Sequence, residues 1–289
     1  MKIFINSVDR WDSISVHTLL DGYDWYVVVH DQEQYDLYKE VIPEDRLINS
    51  ETRRSIIDIR NYIIEELVEE GEWYIRLDDN ITHLTMVDDA HYGFSTLDVQ
   101  GEPEKFKDVY NTPTDFSKVY EKIVGMTKMA ERTGANLIGF CSNENFFFRS
   151  KKYRDVGYII GKAVVHRKTD LLIDKNLVST DDYGYTAQQL YEYGKVLINN
   201  YICFHKKHYS PGGIGGRGKK SEIYERRKAN KIKDVEYLME EFPALFRYSS
   251  KKTGDAKAEI QIRFTNINQV KKWRAALRYE KTRPKTQGD

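Results

Sequence analysis

The chain has 289 residues, 31% of them charged, with 45 Lys and Arg against 45 Asp and Glu. That length can bury a full core, which excludes a small stapled scaffold, and Cys141 and Cys203 are too few for a disulfide framework and lack zinc-site spacing, so a reduced, cytoplasmic setting is expected. The zero net charge hides a split: from His205 onward 22 basic residues face 10 acidic ones, a balance of +12, against −12 before it.

The start Lys2 to Asn6 is a short strand-like run, not an export signal, and no run approaches the ~18 apolar residues of a membrane span. Trp25 to Val29 is a second such run, and Ser13 to Leu20 between them has helical spacing, giving β-α-β. Gln32 to Glu40 predicts a helix stopped before Pro43, Arg46 to Asn49 a short strand, and Ser55 to Glu70 a long amphipathic helix with Ile56, Ile59, Ile63 and Leu67 on one face. Gly71 ends that helix and Trp73 to Leu77 supplies the next strand. This alternation predicts an α/β fold with a mostly parallel sheet flanked by helices, in which ligands bind at the carboxyl ends of strands.

Residues 88 to 114 form a polar excursion, after which Asp115 to Arg132 returns to helical periodicity. Ala135 to Cys141 and Gly157 to His166 read as strands around a polar, aromatic connection from Asn143 to Asp155. A helix from Thr186 to Gly194 and a last core strand from Val196 to Phe204 complete a domain over 1–216. Residues 217–289 read as a basic helical extension in which Val235, Leu238, Met239, Phe242 and Leu245 form a face that packs on the core.

Four groups carry chemistry. Asp78-Asp79-Asn80 at a strand end offers hard oxygen ligands suited to Mg²⁺ or Mn²⁺, although acidic turns after strands are common on their own. Thr180-Asp181-Asp182-Tyr183 is a carboxylate pair at a helix start, either an N-cap or a site where one acid takes a proton from an attacking hydroxyl and the other orients the acceptor. His205 to Lys220 combines His205 and His208, candidate metal ligands, with four glycines between Gly212 and Gly216. There the backbone at Gly213 can approach a ligand, and Arg217, Lys219 and Lys220 can neutralise a diphosphate. Finally, Arg226-Arg227-Lys228, Lys231, Lys233, Arg247, Lys251, Lys252, Lys271, Lys272, Arg274 and Arg278, interleaved with Tyr224, Phe246, Tyr248 and Trp273, fit phosphate contact plus stacking with a polyanionic partner, the alternative being a solvated basic helix.

In this order, the β-α-β opening, Arg60-Asn61 ahead of Asp78-Asp79-Asn80, the Asp181-Asp182 pair and the late histidines resemble a GT-A glycosyltransferase from Lys2 to about Gly216. Trp73-Tyr-Ile-Arg-Leu-Asp-Asp-Asn-Ile and the Thr180-Asp-Asp-Tyr region are similar to the TET/JBP-associated glycosyltransferases of phages and eukaryotes. The resemblance implies a Rossmann-like GT-A domain and metal-dependent transfer of a sugar from a nucleoside diphosphate, with UDP-sugar expected as donor. The acceptor it implies is a hydroxymethylated pyrimidine such as 5-hydroxymethylcytosine in phage DNA, in the cytoplasm of the infected host.

By the same resemblance Asp78, Asp79 and Asn80 would hold Mn²⁺ or Mg²⁺ on the diphosphate, with Asn80 in place of the usual final acid. Asn6, Ser7 and Arg10 would contact the nucleoside, and Arg60 the diphosphate or nucleoside. Asp181 or Asp182 matches the acceptor-side acid, a base if the reaction inverts the anomeric carbon, and His205 or His208 the C-terminal metal histidine, with His208 preferred. Competing readings are a glycosyltransferase acting on protein or glycan, and a non-catalytic nucleic-acid-binding protein whose acidic clusters are caps and turns.

Overall fold

A computed structural model describes residues 1–52, 55–87, 113–141, 152–207, 219–249 and 259–282. Its centre is formed by β1 (Ile3–Asn6), β2 (Trp25–Val29) and β4 (Trp73–Asp78), apolar runs buried along most of their length, as central parallel strands are. With β3 (Leu47–Asn49), β6 (Leu137–Phe140), β7 (Tyr153–Arg154), β8 (Ala163–Arg167) and β9 (Leu197–Asn199) they make an eight-stranded sheet of order β3-β2-β1-β4-β8-β6-β9-β7. The β3-β2-β1-β4 run and the β6-β9 pair are parallel. β8 runs antiparallel between β4 and β6, and β7 runs antiparallel to β9 at the edge. The sheet is therefore mostly parallel, as the alternation of strands and helices predicts.

The chain moves outward from β1 to β2 and β3, then returns to place β4 on the other side of β1. This reversal makes a topological switch point, the position where open α/β sheets bind ligands. Asn6 and Asp78 are register partners at its carboxyl end.

Alternation along each strand divides the core in two. Ile3, Ile5, Val27, Val29, Ile75 and Leu77 face one apolar cluster, while Phe4, Val28 and Tyr74 face the other. The first cluster is closed by Phe116, Val119 and Ile123 of α3 (Phe116–Thr133), which ends at Gly134 in the left-handed conformation, φ 80°. The second is closed by α2 (Ile56–Tyr62) and α4 (Asp181–Glu192). Each fully buried Ile or Leu there contributes about 1.5–3 kcal/mol. α1 (Gln32–Tyr38) is started by Asp31, whose carboxylate accepts from the Gln34 amide at 2.9 Å, and α2 by Ser55, which accepts from the Ile57 amide at 3.2 Å.

Beyond the sheet, β5 (Ile81–Met86) pairs antiparallel with β10 (Ile202–Lys206). The C-terminal part comprises α5 (Lys220–Glu241), an antiparallel pair of β11 (Phe246–Tyr248) with β12 (Ile260–Ile262), and α6 (Ile267–Thr282). Val235 and Leu238 of α5, with Phe242 and Leu245 just after it, join the same buried cluster as Ile57, Leu177 and Leu190. Arg274 of α6 donates to the carbonyl of Tyr191 at 2.6 Å and to that of Glu192, satisfying the exposed carbonyls at the end of α4. No helix among the described residues is long and apolar enough to cross a membrane.

Several expected bounds shift. Ser13 to Leu20 forms only a 3₁₀ turn over Val16–Leu19. The strand expected from Val196 to Phe204 breaks into β9 and β10, because the Asn199 side-chain oxygen accepts from the Tyr201 amide at 2.8 Å and turns the chain. The helix expected from Thr186 starts at Asp181 instead. Gly184, which weakens the helical pattern in sequence, serves packing: a Cβ there would lie 2.1 Å from Leu177 Cδ1.

Candidate active site

The turn after β1 is built to present Arg10. Asp9 adopts φ 57°, a left-handed conformation that Asp tolerates, and the Arg10 amide then donates to the Tyr38 hydroxyl at 3.0 Å. Ser7 donates to Asp79 Oδ2 at 2.6 Å, so the short Ser7–Tyr38 contact is made with the tyrosine donating. Arg10 Nη1 donates to Asp79 Oδ1 at 2.5 Å. Both carboxylate oxygens of the buried Asp79 are thereby engaged inward, and burial still pushes its pKa up against the pull of Arg10 and Ser7.

Asp78 faces the other way, toward the open end of the sheet. Lys206 Nζ lies 2.7 Å and Arg60 Nη2 3.5 Å from its two oxygens. Burial works against its charge, but Lys206, Arg60 and Arg76 outweigh burial and hold its pKa down to about 2. Asn80 donates to the Lys207 carbonyl at 2.8 Å, whereas its Oδ1 is buried with no hydrogen-bond partner among the described residues. An ionised carboxylate beside an unpartnered carboxamide oxygen fits a hard divalent ion that keeps part of its shell for substrate phosphate. Among the described residues no three His, Cys, Asp or Glu side chains form a ligand cluster.

Arg60 connects this side to the second acid pair. It is 5% exposed and bonds Asp181 through Nη1 while its Nη2 faces Asp78. Asp182 instead accepts from the Tyr158 hydroxyl, from the Gly161 amide at 3.1 Å and from the Tyr183 amide at 2.9 Å. Burial first, and the Asp181 charge second, raise the Asp182 pKa despite those bonds. Tyr158 and Tyr183 stack with ring centroids 3.7 Å apart and fix the geometry from above. Beneath lies Arg76 of β4, whose burial and proximity to Arg60 lower its pKa to about 10. Buried His166 is held neutral by desolvation, then by Arg76 and Arg60.

The start of α4 is set from α5. Asp234, 3% exposed, accepts from the amides of Val178, Ser179 and Thr180 and from the Thr180 hydroxyl at 2.6–3.2 Å. Opposite, Gly161 leaves room for Asp182: a Cβ there would stand 3.2 Å from Asp182 Cβ. Gly161→Ala should displace the Asp182 carboxylate and lower turnover about 10²-fold with the melting temperature nearly kept. Wild-type turnover in that variant would show that the close approach is unimportant.

These groups open on one cavity of about 550 Å³ at the switch point, lined by Asn6, Arg10, Arg60, Asp78, Asp79, Asn80, Asp181 and Asp182 of the residues expected from sequence. Ser7 lies fully buried behind Asp79. His205 is not in the lining: its ring stacks on His83 at 4.3 Å and its Nε2 lies 2.9 Å from the Thr85 hydroxyl. His208, Gly213 and Arg217 lie outside the described residues, as do 88–112 of the polar excursion. Sequence reasoning passed over Lys206 and Lys207, neighbours of the histidines that drew attention, and also Lys162 and Tyr158. Eight cations and five carboxylates line the described wall, a surplus of positive charge that suits a diphosphate.

An open, mostly parallel sheet with such a cavity at its switch point is the Rossmann-like arrangement of a GT-A glycosyltransferase. Residues 1–213 match the model of the TET-associated glycosyltransferase family, and the chain belongs to that family. No curated protein matches the chain.

Proposed function

We propose that the chain transfers a sugar from a nucleoside diphosphate, with a UDP-sugar as donor, to the hydroxyl of a hydroxymethylated pyrimidine such as 5-hydroxymethylcytosine in DNA, with inversion at the anomeric carbon. What carries this reading is that the Asp78 turn with Lys206 and the separately held Asp182 share one cavity. The first suits a departing diphosphate and the second an attacking hydroxyl. Asn6 and Arg10 would meet the nucleoside, and Asp79 would position Arg10 rather than touch the donor.

In the transfer, the acceptor hydroxyl gives its proton to Asp182 as its oxygen attacks the anomeric carbon. The bond to the diphosphate breaks and its electron pair leaves on the diphosphate oxygen. Asp182 is better suited as base than Asp181, which is tied to Arg60, and burial raises the Asp182 pKa from the ordinary carboxylate value. Lys206, Lys207 and Arg10 stabilise the departing charge in a site already oriented for it. Mn²⁺ or Mg²⁺, held by Asp78 and Asn80 Oδ1, would supply further positive charge there.

A thermal-shift panel of nucleotide sugars with Mn²⁺ should show stabilisation by a UDP-sugar, and mass spectrometry should then show one hexose-sized gain on an oligonucleotide containing 5-hydroxymethylcytosine. Asp78→Ala should remove both the metal dependence of the shift and the transfer. Donor turnover that modifies a protein or glycan, and never the oligonucleotide, would remove DNA as acceptor. A product that keeps the donor's anomeric configuration would remove Asp182 as base.

A further inference from the structure

The family match ends at residue 213, yet α5 forms one wall of the cavity through Tyr224, Arg227, Lys228 and Lys231. We propose that this face of α5 is the subsite for the acceptor strand, a polynucleotide gripped by its phosphates beside the reacting base. The inference rests on the sugar-transfer reading above for the identity of the acceptor.

The placement of α5 follows from Asp234. Its bonds to the Val178–Thr180 amides hold the helix against the acid pair at the start of α4. Lys231 lies one turn before Asp234, Arg227 and Lys228 about two turns, and Tyr224 about 15 Å along the axis. The cations therefore lead away from the acceptor-side carboxylates in a row along the helix. Lys231 and Arg227 are spaced by about 6 Å of helical rise, so an extended anion is the natural match, rather than one compact group.

A diphosphate does not require them. Arg10, Lys206 and Lys207 already serve the Asp78 side, from β10, its following residue and the turn after β1. The charges contributed to the described wall from residue 219 onward are Arg227, Lys228, Lys231 and Glu259, a surplus of two positive charges with no role in donor binding. Phosphodiesters are complementary to that net positive wall, whereas a neutral glycan is not.

Tyr224 adds an aromatic face, 48% exposed, at the same wall. Cations interleaved with an exposed ring are the combination that holds single strands, the ring stacking on a base of any sequence. Depth points the same way. Asp182 lines a cavity of about 550 Å³, the size of a small-molecule site and not of a groove that takes a duplex. The acceptor base must leave its stack to bring its hydroxyl to Asp182, and α5 would hold the strand on either side of it.

Fluorescence anisotropy with a labelled single-stranded oligonucleotide, between 50 and 200 mM salt, tests this. The Arg227→Ala/Lys231→Ala variant should bind at least about tenfold more weakly and show a salt slope smaller by about 2, one for each lost phosphate contact. Tyr224→Ala should weaken binding about tenfold with the slope unchanged. Lys233→Ala, on the solvent side of the same helix, should match wild type, and the double variant should keep the thermal shift given by UDP. Single strands should bind more tightly than the same sequence as duplex. Equal binding by the double variant and wild type, loss of the UDP shift in its place, or no oligonucleotide binding by wild type would each overturn the subsite. If wild type glycosylates the oligonucleotide while the double variant binds it equally, the subsite falls and the transfer reading stands. Binding that depends on α5 without any sugar transfer reverses that outcome.

Discussion

Asp182→Asn is expected to lower sugar transfer by about 10²–10⁴-fold, the usual worth of a positioned general base, while leaving the protein no less stable at neutral pH. With its single oxygen in the Oδ2 position Asn still accepts from the Tyr158 hydroxyl and the Gly161 amide, and gives up only the Tyr183 amide bond, which reaches Oδ1. What it removes is a charge that burial and Asp181 both disfavour. The sign of the linkage is definite. A carboxyl whose folded pKa lies above its ordinary 3.8 stabilises the fold below that value, and loses this contribution as pH rises through the folded pKa. Above the folded pKa wild type carries the unfavourable ionised form, and the variant does not. Wild-type kcat/KM should in turn fall with acid at a pH above the ordinary carboxylate range, since the base must be ionised to act. Calorimetry at pH 7 and single-turnover transfer together check both halves. A variant that transfers sugar within tenfold of wild type would sink the assignment.

The second large effect concerns Arg60. Arg60→Met should cost about 3–5 kcal/mol of stability, because Asp181 and Asp78 would be left charged without the cation that both face. The loss should be greatest at neutral pH. Asp78, held down to about 2, contributes stability that is present above its ordinary 3.8 and disappears as pH falls through about 2. The urea midpoints of wild type and variant should consequently converge between about pH 4 and pH 2. Parallel midpoints across that range would mean that Arg60 acts by packing and not by charge.

The sheet was legible because β-branched and aromatic runs such as Trp25 to Val29 alternate with helical periods, and Gly71 and Gly134 punctuate them. Acidic turns after strands are common, and Asp78, Asp79 and Asn80 were legible as a site only through their order after Arg60-Asn61 and before Asp181-Asp182. Their division of labour was not. Asp79 turns inward because Ser7 and Arg10, some 70 positions away, supply its partners, and only the register of β1 against β4 brings them together. Arg76 stands in an apolar run as an anomaly without an evident partner; its neighbours Arg60, Asp181 and His166 come from three other elements. His205 drew notice by its chemical type, yet the pleat and the irregularity between His205 and Lys206 give the cavity to the lysine. The excess charge of the C-terminal third was visible in composition. That Arg227 and Lys231 share a cavity with the acid pair could be read only from the fold, where Asp234 ties their helix to the start of α4.

One cavity wall thus comes from a helix encoded after the stretch that the family shares. The carboxylates, Arg60 and Lys206 belong to a part of the chain constrained by sheet register, where a substitution disturbs several partners at once. Tyr224, Arg227 and Lys231 line the cavity from the first half of α5, and the same face continues into Val235 and Leu238, which are buried in the core. If α5 is the acceptor subsite proposed above, Tyr224, Arg227 and Lys231 are the natural positions to randomise in a search for altered specificity, with Val235 and Leu238 of the same face kept.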